Sequence, residues 1–190
     1  MASAEALSPG GDSASGRDRL LDAAMEIGGR EGLRAVTYRA VAAHAGVAHG
    51  LVRHHFGTRE QLLAEAFRRA AAKDSDSARL EADSIEEFAS TFVESLNTSW
   101  ERPLLQFDET MQAIRGGLSI DNVRQQYERY MAKVRQTIEG VGIDDADGRA
   151  SAVVFAALDG LVLQHLVFRD DARTEQLLET LREVIRRLAD

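Results

Sequence analysis

The chain has no cysteine, which excludes disulfides, a thiolate metal site and a cysteine nucleophile. It has only two prolines in 190 residues, so little stands in the way of helix formation. Nothing reads as the alternating pattern of a half-buried strand, and no internal repeat is present. No phosphate-binding glycine loop and no serine nucleophile motif appears. The first fifteen residues, MASAEALSPGGDSAS, lack both a basic start and an apolar run. They are read as a disordered tail rather than a signal peptide, and the protein is expected to be cytoplasmic. The longest apolar region, Ala150 to Phe168, carries Asp159, Gln164 and His165. Such groups are costly in lipid, so a buried helix and no membrane partner are expected.

One further absence is local. From Gly32 to Arg59 there is no aspartate or glutamate, although the whole chain carries a net charge of −8. Residues 1–73 have ten basic and eight acidic side chains, while residues 74–190 have thirteen and twenty-three. The acid-free stretch holds Arg34, Arg39, Arg53 and Arg59 with His44, His49, His54 and His55. A basic island in an acidic chain is what a polyanion-binding surface requires, because carboxylates there would repel phosphate.

Helical periodicity runs through the rest. Leu20, Ala24 and Ile27, flanked by Leu21 and Met25, mark a first helix, which Gly28, Gly29 and Gly32 are expected to fray or stop. Thr37 can cap a short second helix that Gly46 ends. A third is expected from about Ala48 to Phe56, and Thr58 can cap a fourth with Leu62, Leu63, Ala66, Phe67 and Ala70 inward. Later helices are expected at about Ser84–Trp100, Pro103–Arg115, Ser119–Glu139, Asp145–Arg169 and Arg173–Ala189. The fold class is therefore all-α.

Two short helices joined at Gly46 behind a longer one are the parts of a helix-turn-helix, whose second helix enters the DNA major groove. At about 100° per residue, Leu51, Val52, His55 and Phe56 share one arc of the third helix. His49, Gly50, Arg53 and His54 share the other. The first arc packs inward and the second faces a groove, where Gly50 allows close backbone approach and Arg53 can pair with guanine or neutralise phosphate. His55 sits at the edge of the buried arc, so a satisfied core imidazole and a phosphate contact both remain open. Arg39 lies beside Thr37 and Tyr38 at the start of the second helix, a natural phosphate position.

The set Thr37, Val41, Ala42, Ala45, Gly46, Val47, Gly50, His55, Phe56, Arg59, Leu62 and Leu63 resembles the TetR family of bacterial transcriptional regulators. The motif match covers about residues 17–70, and Ala157-Leu158-Asp159-Gly160-Leu161 looks like that family's penultimate helix. Beyond the tail read over 1–15, the resemblance implies a helix-turn-helix DNA-binding domain over 16–60 and a helical effector-binding and dimerisation domain over 61–190. It places Thr37, Tyr38, Arg39, His49, Gly50, Arg53, His54, His55, Thr58 and Arg59 at or near DNA. It implies a dimeric regulator, expected to be a repressor, of a double-stranded operator, with a small-molecule effector and no cofactor. Ala48 stands where the family often has serine, and Arg53 where it often has tyrosine.

The dimer surface is expected on the last two helices, because AVVFAALDGLVLQHLVF is apolar nearly all round and needs partners on more than one side. The final helix carries Leu177, Leu181, Val184, Ile185 and Leu188 as a stripe, with Arg182, Arg186 and Arg187 expected opposite. For the effector, Phe92, Trp100, Phe107, Met111, Tyr127 and Met131 are the candidates, with Phe88, Ile114 and Tyr130 in the same stripes, although such stripes also build plain cores. Gln164 and His165 could orient a polar group or satisfy a dimer partner. Catalysis is not expected: Asp144, Asp145 and Asp147 read as a solvated loop capping the next helix. No metal is expected either, since His44, His49 and His54 are five apart and share no helical face. The alternative is a helical interaction module that keeps the fold without sequence-specific DNA binding.

Overall fold

The structure is a computed structural model and describes residues 13–188. Most of the tail expected over residues 1–15 lies outside the described residues, and the first helix starts at Ser13. Among the described residues there are nine α-helices and no strands: α1 (Ser13–Glu31), α2 (Tyr38–Ala45), α3 (His49–Phe56), α4 (Arg59–Ser77), α5 (Phe92–Ser99), α6 (Glu101–Ile114), α7 (Ile120–Gly140), α8 (Arg149–Phe168) and α9 (Asp171–Arg186).

The short N-terminal helices begin and end where local chemistry dictates. The Thr37 hydroxyl accepts from the Ala40 amide, and Gly46 closes α2 in the left-handed region at φ 67°. Thr58 and Gln61 cap α4 reciprocally, each side chain taking the other's backbone amide, which satisfies two otherwise orphaned donors. Ala48 caps α3 with no side-chain bond. The inward faces of α1 to α4 form one apolar cluster that also takes in Leu105 of α6. The second cluster joins α5, α7, α8 and α9.

Four expectations need correction. α1 does not fray at Gly28-Gly29 but continues to Glu31, because α6 crosses it there and only glycine leaves room: a Cβ on Gly29 would lie well under 3.0 Å from the Glu101 carbonyl oxygen. The helix expected from Ser84 begins only at Phe92. Before it the chain turns, with Ala89 at φ 54° and its amide bonded back to the Arg79 carbonyl at 3.0 Å. α8 starts at Arg149 rather than Asp145. Asp145 is buried, not part of a solvated loop, and its carboxylate accepts from the Ala150 and Ser151 amides. Burial opposes the charge of Asp145, but the hydrogen bonds from Ser151 and Ala150 outweigh it and hold its pKa below the usual value.

The fourth correction concerns α9. Thr174, Leu178, Arg182 and Ile185 form its buried face, so Arg182 does not stand opposite the core. Its Nε donates to the Phe88 carbonyl at 2.9 Å, a backbone oxygen left free by the irregular segment before α5. Of the expected stripe, Leu177 and Leu181 are half-buried, while Val184 and Leu188 are 50% and 53% exposed.

Candidate nucleic-acid interface and internal cavity

α3 is held to the first core by Val52 and Phe56, both buried, with Leu51 half-buried beside them. Its other side presents His49, Gly50, Arg53 and His54 to solvent. Among the described residues Arg53 makes no ion pair, and a Cβ placed on Gly50 would meet nothing within 4 Å. The helix therefore carries an outward face that is cationic and unobstructed.

The flanking positions differ in their freedom. Arg39, Thr37 and Thr58 are exposed, although both threonine hydroxyls are engaged as caps. Tyr38 is half-buried. Its hydroxyl donates to the Gly57 carbonyl at 2.8 Å, tying the start of α2 to the end of α3, and its ring lies 6.3 Å from that of His49. His55 is half-buried against Phe56. Arg59 is also half-buried, because its guanidinium donates to the Val36 carbonyl at 2.8 Å and to the Leu33 carbonyl. The sequence stretch without acids is not wholly without them in space: Glu26 of α1 reaches His44 at 3.1 Å.

In the second half, α4 to α8 surround a cavity of about 80 Å³. Phe92, Phe107 and Tyr127 line it, as do Tyr130 and Phe155. Trp100, Met111 and Met131 do not. Trp100 points toward the N-terminal helices and the α8 end, with the guanidinium carbons of Arg30 and Arg169 5.2 and 5.7 Å from its ring centre. Met111 sits on the outer side of α6, 45% exposed, and Met131 packs into the second core. Ile114 is 65% exposed.

The polar lining was not apparent from sequence. Asp74, Gln106, Thr110, Gln126 and Asp159 all reach the cavity. Gln106 accepts from the Tyr130 hydroxyl at 2.6 Å and from the Gln126 amide at 2.7 Å, and its own amide bonds Asp74. Burial pushes the Asp74 carboxyl up to about 7, against the pull of nearby Arg102. Tyr127 is pushed up to about 12, by burial first and then by the Asp159 carboxylate that its hydroxyl faces. These residues come from α4, α6, α7 and α8, and no spacing along one helix could have grouped them.

His165 is fully buried, with its ring nitrogens 3.0 Å from the Thr174 hydroxyl and 3.2 Å from the Asn97 carbonyl oxygen. Gln164 accepts from Arg173 at 2.7 Å. Both are satisfied within the chain and away from the cavity lining. α8 is long and apolar enough by composition to cross a membrane, yet only 33% of its apolar stretch is buried. One side packs between α7 and α9, so the buried helix expected from the sequence is buried on one side only. Among the described residues no cluster of histidine, aspartate and glutamate could hold a metal ion.

Residues 20–66 match the family model for bacterial regulatory proteins of the tetR family. Residues 81–190 match that for the tetracyclin repressor-like C-terminal domain. A stretch of 62 residues is 42% identical to the HTH-type transcriptional regulator BetI of Rhizobium meliloti (strain 1021), taking in 33% of this chain and 30% of that relative. A TetR-family transcriptional regulator from Rhodococcus sp. has the same fold, with a TM-score of 0.71 at 20% identity over 93% of this chain and 100% of that one. A TetR-family member from Streptomyces coelicolor A3 aligns at a TM-score of 0.68 and 26% identity, over 91% of this chain and 97% of its own. The multidrug binding protein EbrR, complexed with imidazole, aligns at 0.61 and 26% identity, over 90% and 93%. Matched over both halves, the chain belongs to the TetR family and is a transcriptional regulator with a helix-turn-helix DNA-binding domain, not an enzyme.

Proposed function

We propose that this regulator is a homodimeric repressor that binds a palindromic operator and is released from it by a small-molecule effector. The observation that carries the reading is the outward face of α3: His49, Gly50, Arg53 and His54 are exposed, with no carboxylate in the helix. Arg53 supplies a base or phosphate contact, the histidines supply hydrogen bonds, and Gly50 lets the backbone approach the duplex. Arg39 and the first turn of α2, with Thr37 and Tyr38, take the phosphate on one side, and Thr58 lies on the other. His55 works from behind, packed on Phe56 of α3, and Arg59 ties the start of α4 to the segment before α2.

In this reading residues 16–60 are the DNA-binding domain and residues 61–190 the effector-binding and dimerisation domain, with α4 joining them. One helix of eight residues reads few base pairs, so specificity needs two copies one DNA turn apart. The exposed apolar residues Val153, Leu163 and Val167 of α8, with Val184 of α9 and Leu188 just beyond its end, supply the face on which the second copy sits. Such a face is costly to leave in water. α6 lends Gln106, Phe107 and Thr110 to the cavity, and its Asp108 accepts from the Leu33 amide at 3.1 Å, just before α2. An effector that shifts α6 shifts α1 to α3, and it favours release only insofar as it binds the released form more tightly. Its DNA target puts the protein in the bacterial cytoplasm.

The test is mobility of DNA from the protein's own promoter region, with Arg53→Ala beside the wild type. A sequence-preferring complex is expected, weakened by about 1–3 kcal/mol in the variant. Unshifted DNA at low salt would overturn the reading in favour of an interaction module.

A further inference from the structure

Two aspartates, Asp74 and Asp159, line the cavity, and no arginine, lysine or histidine does. The two carboxylates are not equivalent. Asp74 lies 3.0 Å from the Arg102 guanidinium, so its charge is answered within the protein. Asp159 has no ion pair among the described residues. Its partner is the Tyr127 hydroxyl, which donates to it at 3.2 Å. Burial raises the Asp159 pKa, and the bond from Tyr127 offsets this only in part. Asp159 is half-buried; a carboxylate partly withdrawn from water without a counter-charge carries a desolvation cost, and a cation that enters beside it recovers part of that cost.

The rings around it have the matching character. Phe155 stacks on Tyr130 with centres 5.2 Å apart and meets Tyr127 edge-on at 5.3 Å, and Phe92 and Phe107 complete the wall. Aromatic faces carry negative potential and attract cations. The remaining lining includes Leu96 and Val162, which suit alkyl groups, while Gln106, Gln126 and the Tyr130 hydroxyl are already bonded to one another, which favours a cation that brings its own alkyl shell over one that must be coordinated. An anion would meet two carboxylates and no fixed positive charge on the lining.

We infer that the effector is a small organic cation of the quaternary or tertiary ammonium class, its charge set against Asp159 and its alkyl groups against the rings. This rests on the cavity being the effector site, as proposed above.

The test is calorimetric titration of the full chain with choline, with tetramethylammonium and with 3,3-dimethylbutan-1-ol, the uncharged isostere of choline. The cations are expected to bind, the alcohol about tenfold or more weakly. Asp159→Asn should weaken the cations by a similar factor and leave the alcohol unchanged, in a protein whose melting temperature is retained. Equal binding of alcohol and choline overturns the inference while leaving the cavity an effector site. Failure of both cations to bind at millimolar concentration also overturns it. The effector reading has its own measurement: Ser95→Trp, which fills the cavity, should lower operator affinity whatever the ligand class. Unchanged affinity there would count against that reading.

Discussion

Gly29 of α1 lies directly against the backbone of Glu101 at the start of α6, so close that a Cβ on the glycine would lie well under 3.0 Å from the carbonyl oxygen. Backbone cannot swing aside as a side chain can. Gly29→Ala is therefore expected to destabilise the fold by about 3 kcal/mol or more, although alanine is the better helix former. Denaturant unfolding measures this. A loss below 1 kcal/mol would mean that the crossing of α1 and α6 is loose.

Gly50 offers the opposite case, since a Cβ there meets nothing within the chain. Gly50→Ala should stabilise α3 by about 0.5 kcal/mol and yet weaken operator binding, because the added methyl is wedged against the duplex at about 1–3 kcal/mol. Thermal unfolding and DNA binding, measured on the same preparation, are expected to move in opposite directions. Unchanged DNA affinity would take Gly50 out of the interface.

On α8, Gly160 lies within the arc formed by Val153, Leu163 and Val167, and no atom stands within 4 Å of its missing Cβ. Val167, 74% exposed, contributes little to the lone chain. Val167→Glu should leave the monomer's fold intact and shift the molecular mass in solution to that of a monomer, as light scattering would show. A variant that stays dimeric would move the interface elsewhere.

Glu109 of α6 is 3% exposed, and burial pushes its carboxyl up to about 7. The folded form thus keeps a proton that the unfolded chain loses above its ordinary value near 4.5. Stability falls as the pH rises from about 4.5 to about 7 and levels off above that. Glu109→Gln removes the penalty, so it should stabilise the protein by about 2 kcal/mol at pH 8 and by almost nothing at pH 4. Equal effects at both pH values would show that Glu109 titrates normally.

How far these features could be read from the chain depends on the range of the interaction. Thr37, Gly46 and Thr58 act within three or four residues of themselves, and the helices they bound stand where local chemistry puts them. Gly28 and Gly29 look like a helix end by the same local rules. Their reason lies in α6, more than seventy positions later. The segment Ser84–Thr91 has helical composition but turns at Ala89, whose amide bonds the Arg79 carbonyl, and Arg182 of α9, far along the chain, takes the Phe88 carbonyl that the turn leaves free.

The all-helical class, the helix-turn-helix and the acid-free outward face of α3 follow from the sequence, since caps, periodicity and the sign of a charge are properties of neighbours along one chain. Only the tertiary structure decided which of two adjacent faces of α9 packs inward, that His165 is answered by Asn97 and Thr174, and that Phe92, Phe107, Tyr127 and Asp159 share a cavity. An apolar stripe records that a surface avoids water. What covers that surface is set by the angles at which helices distant in sequence come to cross.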